Sequence, residues 1–302
     1  MHTWNRTLTV SGINSPELRR DYTTQRALVA GYRRQTYLAV RLLLPPTVVP
    51  HVVAAVAFMH HTDTLLDTTP ADAAEGDTYD AWEAEVRDAL ATGESGHPVL
   101  RPLLHTLTAH PRLRSPVEQF LAGAPFDRDF TGFADEAEYQ RYVDAYSLPA
   151  FMLLASLLLA PDVDQGETER ACRSFIDGSQ RLDFVCDLAE DLRDGRLGLP
   201  EQTLKGHGVS RQDLEQGNDT PGVRALLREM LGLARRDLLA SRVLPDLVAP
   251  PYRAFTRAFV TLEVLMADAA TAEGTGVLRA PASPSPPAAL RVVARAYVRR
   301  GR

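Results

Sequence analysis

At 302 residues the chain suffices for one large domain or two small ones, and 45 % hydrophobic with 24 % charged residues is an ordinary globular balance that excludes disorder. A formal charge of −6 argues against a surface that tracks nucleic-acid phosphates. The two cysteines, Cys172 and Cys186, lack the paired Cys or His spacing of a zinc site and read as reduced thiols.

Helical periodicity dominates the chain, and strand-like alternation is almost absent. The N-terminus has no apolar core followed by a small-residue cleavage site, so no signal peptide is expected. Helices are predicted over residues 18–43, 47–67, 80–91, 98–109, 135–160, 167–193, 220–242 and 250–273. Pro/Gly/Asp/Thr clusters separate them, such as TTPADAAEGDT at 68–78 and APPY at 249–252. Pro149 falls inside a strongly helical segment and should kink or split it. The apolar run from Leu148 to Pro161 is shorter than the roughly 20 residues that span a bilayer, and reads as a buried helix of a cytoplasmic protein. APASPSPP at 280–287 reads as non-helical and mobile, with LRVVARAYV after it as a short docking helix. The expected organisation is an extension over 1–24, one helical domain over 25–279 and a Pro-rich tail over 280–302.

Two acidic segments carry the chemistry. Asp63 and Asp67 end the helix predicted over 47–67 at i, i+4 spacing, so both carboxylates share a face. Alone, such a pair reads most simply as a solvated helix end. In RLDFVCDLAEDLRDGR, however, Asp183, Asp187 and Asp191 stand at i, i+4 and i+8 beside apolar Phe184, Val185, Leu188 and Ala189. Stacked carboxylates facing a packed interior need a compensating cation, and Mg²⁺ binds through a few carboxylates plus substrate phosphates. Together the two faces suit a diphosphate–Mg²⁺ cluster. Charge developing on a departing diphosphate would be met by metal and arginine. Arg34 and Arg193 are candidates for that contact, or simply surface arginines. AFMLLASLLLA at 150–160 could line a dry pocket for the resulting carbocation, or be plain core.

On these residues the sequence resembles the squalene/phytoene synthase family. The matching blocks are TYLAVRLLLPP (36–46), FMHHTDTLLD (58–67), GAPFDRDF (123–130), YQRYVDAYSLPAF (139–151), QRLDFVCDLAEDLRDGRLGLP (180–200) and AEGTGVLRAP (272–281). The resemblance implies an all-α, single-domain class I isoprenoid synthase bundle with a central cavity. It also implies about two or three Mg²⁺ ions shared with the substrate diphosphate. Asp63, Asp67, Asp187 and Asp191 would hold metal with Asp183 as an added ligand, and Asp63, Asp187 and Tyr142 would be catalytic. Tyr142 would act by hydrogen bonding or proton transfer near the leaving group. His60 stands where the family has an arginine, as a weaker diphosphate contact or a buried polar residue. Val56 replaces an aromatic, Phe151 a glycine, Asp183 an asparagine and Cys186 an arginine. Val56, Phe151 and Phe184 are candidate pocket residues.

The implied reaction is head-to-head condensation of two prenyl diphosphates through a cyclopropyl intermediate. The altered positions leave open a second reaction, cyclisation of one substrate such as geranylgeranyl diphosphate. No Gly-rich loop follows a strand, so a Rossmann-type nicotinamide site is not expected. The implied partners are the prenyl diphosphate and, through its oily tail, a membrane surface, without nucleic acid or an obligatory protein partner.

Overall fold

The computed structural model describes residues 2–32, 34–67 and 78–300. It is all helical, as the periodicity requires. Its helices are α1 (Trp4–Val10), α2 (Pro16–Tyr32), α3 (Arg34–Leu43), α4 (Val49–Asp67), α5 (Tyr79–Thr92), α6 (Leu100–Ala109), α7 (Arg114–Arg128), α8 (Glu136–Tyr142) and α9 (Leu148–Leu158). The second half adds α10 (Gln165–Cys186), α11 (Leu188–Arg193), α12 (Glu201–Gly206), α13 (Arg211–Glu215), α14 (Pro221–Ala240), α15 (Leu244–Leu247), α16 (Arg253–Glu273) and α17 (Pro286–Arg299). Among the described residues, extended pairing is confined to two isolated bridges, Gly132 with Leu197 and Leu159 with Val248. The loop expected over 68–78 lies, up to residue 77, outside the described residues.

Capping follows sequence chemistry. Thr78, Asp135, Asp164 and Thr220 each accept a backbone N–H in the first turn of the helix they open, which satisfies a donor the helix cannot. Gly93 ends α5 in the left-handed region at φ 76°, where a Cβ would be strained.

Two proline-bearing stretches depart from expectation. No helix is predicted over 110–134, yet α7 forms there with Pro125 inside it. Proline cannot donate to the Leu121 carbonyl four residues earlier, and the buried Tyr79 hydroxyl donates to that carbonyl instead, at 2.8 Å. The 135–160 segment stays helical through Pro149, but a π-turn over Val143–Ser147 joins α8 to α9. There the Leu148 N–H donates to the Val143 carbonyl. This wider turn takes up the crowding that Pro149 imposes on the Ala145 carbonyl. Gly123 of α7 makes the room. A Cβ there would lie 1.9 Å from the Ala145 oxygen.

Two packed layers meet along α9. One core joins α1, α2, α4, α5, α6 and α7, with Phe58, Phe120 and Tyr22 buried in it. The other joins α10, α14 and α16. α9 gives Leu153, Leu157 and Leu158 to the first and Ala155 to the second. From the N-terminal stretch, Trp4, Leu8, Ile13 and Tyr22 pack into the first core. Gly178 lets α10 lie close on α14, since a Cβ would sit 2.7 Å from the Ala234 carbonyl oxygen. At the other end of the chain, Pro286 and Pro287 open α17 rather than preceding it, because the first turn needs neither of their N–H groups. α17 packs on α16 and α3. Among the described residues no helix is long and apolar enough to cross a membrane.

Candidate active site

α4 is buried along Val52, Val53, Ala54, Ala55, Ala57 and Phe58, and its last turns emerge with Asp63 half-buried. The side chain of Asp67 lies outside the described residues. The Tyr146 hydroxyl, on the π-turn, donates to Asp63 Oδ1 at 2.9 Å. The Tyr146 ring stacks on Phe120, centroids 5.7 Å apart. Burial, and then the Asp63 charge, push the Tyr146 pKa far above its ordinary value, so the phenol keeps its proton.

Tyr142, one turn earlier, lies in an aromatic cluster with Phe130, Phe133, Tyr139 and Phe184. Its hydroxyl donates to Asp127 Oδ1 at 2.6 Å. The Arg196 guanidinium donates to the same oxygen and to the Asp127 carbonyl, both at 3.2 Å. Burial, followed by the Asp127 charge, raises the Tyr142 pKa well above 10, which makes it a neutral donor rather than a base.

The second acidic segment is not one continuous helix. α10 ends at Cys186, Asp187 sits between helices at φ −94° and ψ 3°, and α11 begins at Leu188. The backbone links nevertheless persist: Asp187 N–H donates to the Asp183 carbonyl at 2.8 Å and Asp191 N–H to the Asp187 carbonyl at 2.9 Å. The three side chains do not face a packed interior as the sequence suggests. Asp183 and Asp187 are exposed, and only Asp191 is half-buried. Burial and then the Asp187 carboxylate raise the Asp191 pKa from 3.8 to about 6, against the opposing pull of Arg196. Asp191 is a carboxylate short of positive charge. Among the described residues, no three His, Cys, Asp or Glu side chains are grouped to hold a metal ion.

The remaining candidates make varied contacts. His60 stacks on Tyr32, centroids 4.1 Å apart. Arg34 is exposed at the start of α3. Arg193 is exposed and its Nε donates to the Ala189 carbonyl of its own helix at 3.0 Å. Arg196, three residues on, is the arginine that reaches Asp127. Val56 is half-buried against the first core. Phe151 stacks on Phe175 at 4.8 Å, and Phe175 continues to Phe259 at 5.2 Å. Phe184 is buried beneath Tyr142, against Gly198, whose Cβ would lie 2.2 Å from the ring. Cys186 is a buried thiol pushed up to about 12 by burial. Tyr146, Asp127 and Arg196 are absent from the sequence reading. Only the i, i+4 spacing of Tyr142 and Tyr146 could have drawn attention to the first of them.

The sequence matches the family described as squalene/phytoene synthase over residues 29–290. The chain belongs to the squalene/phytoene synthase family. Members of this family are prenyltransferases. Among relatives, the bifunctional protein CrtB/UppS of Streptomyces coelicolor is 28 % identical over 81 % of this chain and 43 % of its own length. The 15-cis-phytoene synthase of Synechocystis is 26 % identical over 71 % of this chain and 66 % of its own length. The chain therefore spans less than two thirds of the length of each. A dehydrosqualene synthase crystallised with a ligand superposes with a TM-score of 0.81 at 17 % identity, covering 94 % of this chain and 97 % of that one. The squalene synthase HpnC of Alicyclobacillus acidocaldarius gives 0.74 at 23 % identity, covering 90 % and 99 %. Those solved structures share with this family member the all-α class I isoprenoid synthase fold.

Proposed function

We propose that the chain ionises allylic prenyl diphosphates with Mg²⁺ and condenses two of them head to head into a squalene- or phytoene-like hydrocarbon. The observation that carries this reading is the set of contacts lying between the two acidic segments. Tyr146 holds Asp63, Tyr142 and Arg196 hold Asp127, and Arg196 offsets the charge of Asp191.

The donor set suits Mg²⁺. Asp63, Asp183, Asp187 and Asp191 offer hard carboxylate oxygens, Asp67 adds a fifth acid in the sequence, and the raised pKa of Asp191 marks a site that favours a cation. Substrate phosphate oxygens would complete the coordination. Bound Mg²⁺ would neutralise negative charge on the departing diphosphate. Tyr146 Oη keeps its proton and orients Asp63 by donating to Oδ1. Tyr142 Oη likewise keeps its proton on the Asp127 side and acts as a fixed neutral donor. The allylic C–O bond breaks with its electron pair going to the diphosphate, the double bond of the second substrate captures the cation, and loss of a proton to the departed diphosphate closes the cyclopropyl ring. Departure of the second diphosphate and loss of a further proton would release a phytoene-like hydrocarbon, whereas a squalene-like one needs a hydride from a reduced nicotinamide. His60 and Arg34 would contact phosphate from α4 and α3.

A second reading, cyclisation of one prenyl diphosphate, is favoured by the Phe151–Phe175–Phe259 stack, which fills space beside α9. The test is incubation with Mg²⁺ and farnesyl or geranylgeranyl diphosphate, one substrate per tube, and mass spectrometry of the extract. A hydrocarbon of doubled carbon count is expected. A product with the substrate's own carbon count would replace condensation by cyclisation, and no product with either would sink both. Asp63→Asn with Asp187→Asn should abolish turnover; undiminished product would remove the metal assignment.

A further inference from the structure

The two acidic segments leave one corner of the molecule unexplained. α17 lies there on α3 and the first turns of α16, with Val292, Val293 and Ala296 against Leu43, Phe255 and Ala258. Its opposite face is solvent-facing and apolar. Leu290 is 69 % exposed, Val298 65 % and Tyr297 51 %. Leu290, Ala294 and Val298 follow at i, i+4 and i+8, so they form one row along the helix. Arg291, Arg295 and Arg299 have the same spacing and form a second row beside the first, and all three are exposed. Among the described residues, none of these three arginines forms an ion pair.

The charge of the whole corner is one-sided. From Pro286 to Arg300 there are four arginines and no aspartate or glutamate, in a chain whose formal charge is −6. α3 has no acidic residue either, and it carries Arg41 and Leu38, the last 43 % exposed. The first half of α16, Arg253 to Leu262, adds exposed Arg253 and Arg257 and again no acid. An all-basic corner bearing an exposed apolar row is the pattern of a helix lying in the plane of a bilayer interface. Arginine stems can then lie along the apolar boundary while the guanidinium groups reach phosphate. A nucleic acid would match the charge but would leave Leu290 and Val298 in water.

We propose that α17 is a membrane-docking helix, which seats this corner of the protein on an anionic phospholipid surface through the Leu290–Ala294–Val298 row and the Arg291–Arg295–Arg299 row.

The test is cosedimentation of the full chain with vesicles of phosphatidylcholine plus phosphatidylglycerol, and with vesicles of phosphatidylcholine alone. The parent should sediment with the anionic vesicles and stay in solution with the neutral ones. Arg291→Gln with Arg295→Gln and Arg299→Gln should weaken binding roughly a hundredfold, about fivefold for each arginine near an anionic surface. Leu290→Ser with Val298→Ser, which keeps every charge, should also release the protein. All substituted residues are exposed, and thermal melting checks that each variant is folded. A parent that ignores anionic vesicles would overturn the proposal. So would full binding by the serine variant, which would leave a general polyanion surface. A parent dimer in light scattering that the serine variant converts to monomer would assign this face to a second copy instead.

Discussion

Asp191→Asn tests the acidic centre through a half-buried carboxylate whose proton affinity is raised. The folded-state pKa is raised from 3.8 to about 6. A raised carboxylate pKa means that this group's contribution to stability is fully present below the unfolded value near 3.8 and is lost as pH rises through about 6. Two pKa steps correspond to roughly 3 kcal/mol, and screening of a half-buried group cuts this to about 1.5 kcal/mol. Asparagine keeps the shape and stays neutral. Without divalent cation at about pH 7.5, the variant should therefore be the more stable protein, by about 2–3 °C in Tm for a chain of this size. Near about pH 4 the two melting points should converge, because the parent is then largely protonated as well. Adding Mg²⁺ with inorganic diphosphate should raise the parent's Tm more than the variant's, as the proposed role of Asp191 as a metal ligand requires. Differential scanning calorimetry over that pH range, with and without the ions, gives every quantity. A variant that melts below the parent in metal-free neutral buffer, or an advantage that does not change with pH, would refute the reasoning.

Other substitutions separate positioning from packing. Tyr146→Phe removes the donor to Asp63 while leaving the ring on Phe120. kcat/KM should fall by about 10- to 100-fold, with a higher Mg²⁺ requirement and little loss of Tm; unchanged Mg²⁺ dependence would show that the hydroxyl does not orient Asp63. Gly123→Ala puts a methyl 1.9 Å from the Ala145 carbonyl oxygen and should cost roughly 3 kcal/mol, readable in urea unfolding. A wild-type midpoint would mean that α7 does not approach the π-turn so closely. Phe151→Ala opens the stack on Phe175 at a cost of roughly 2 kcal/mol for a half-buried ring. Competition between farnesyl and geranylgeranyl diphosphate should then shift toward the longer substrate, and an unaltered ratio would place Phe151 outside the chain-length pocket.

Much of the fold can be read from the sequence because long helices bury one face and say so every three or four residues. α4, α5, α6, α14 and α16 fall close to the expected ranges, and the range expected over 167–193 is divided at Asp187 into α10 and α11. α7 was hidden by Pro116 and Pro125. The first is tolerated in an opening turn, and the second depends on a hydroxyl from Tyr79, some forty residues earlier. The acidic segments were legible because carboxylates at helical spacing demand an explanation. Tyr142 was reached through the family resemblance, but Tyr146, Asp127 and Arg196 were not. Asp127 and Arg196 meet only because the chain after α11 folds back over the aromatic cluster, with Leu197 N–H donating to the Thr131 carbonyl at 3.0 Å. That is a contact between distant stretches, and local pattern carries no trace of it.

The π-turn also explains why the pocket was the hardest part to infer. One extra residue in a turn rotates everything after it by about 100° relative to an uninterrupted α-helix. The break expected at Pro149 thus falls one turn earlier, and the faces presented beyond Ser147 do not follow from the periodicity before it. Leu153, Leu157 and Leu158 are core rather than wall, while Phe151 points to Phe175 on α10. Tyr142 just before the π-turn is held to Asp127, and Tyr146 on it is held to Asp63. A proline that cannot complete an α-turn, a glycine that clears space for the displaced carbonyl, and two tyrosines spaced across the widened turn thus form one device. It sets the phase of α9 and carries the hydroxyl that reaches the first acidic segment.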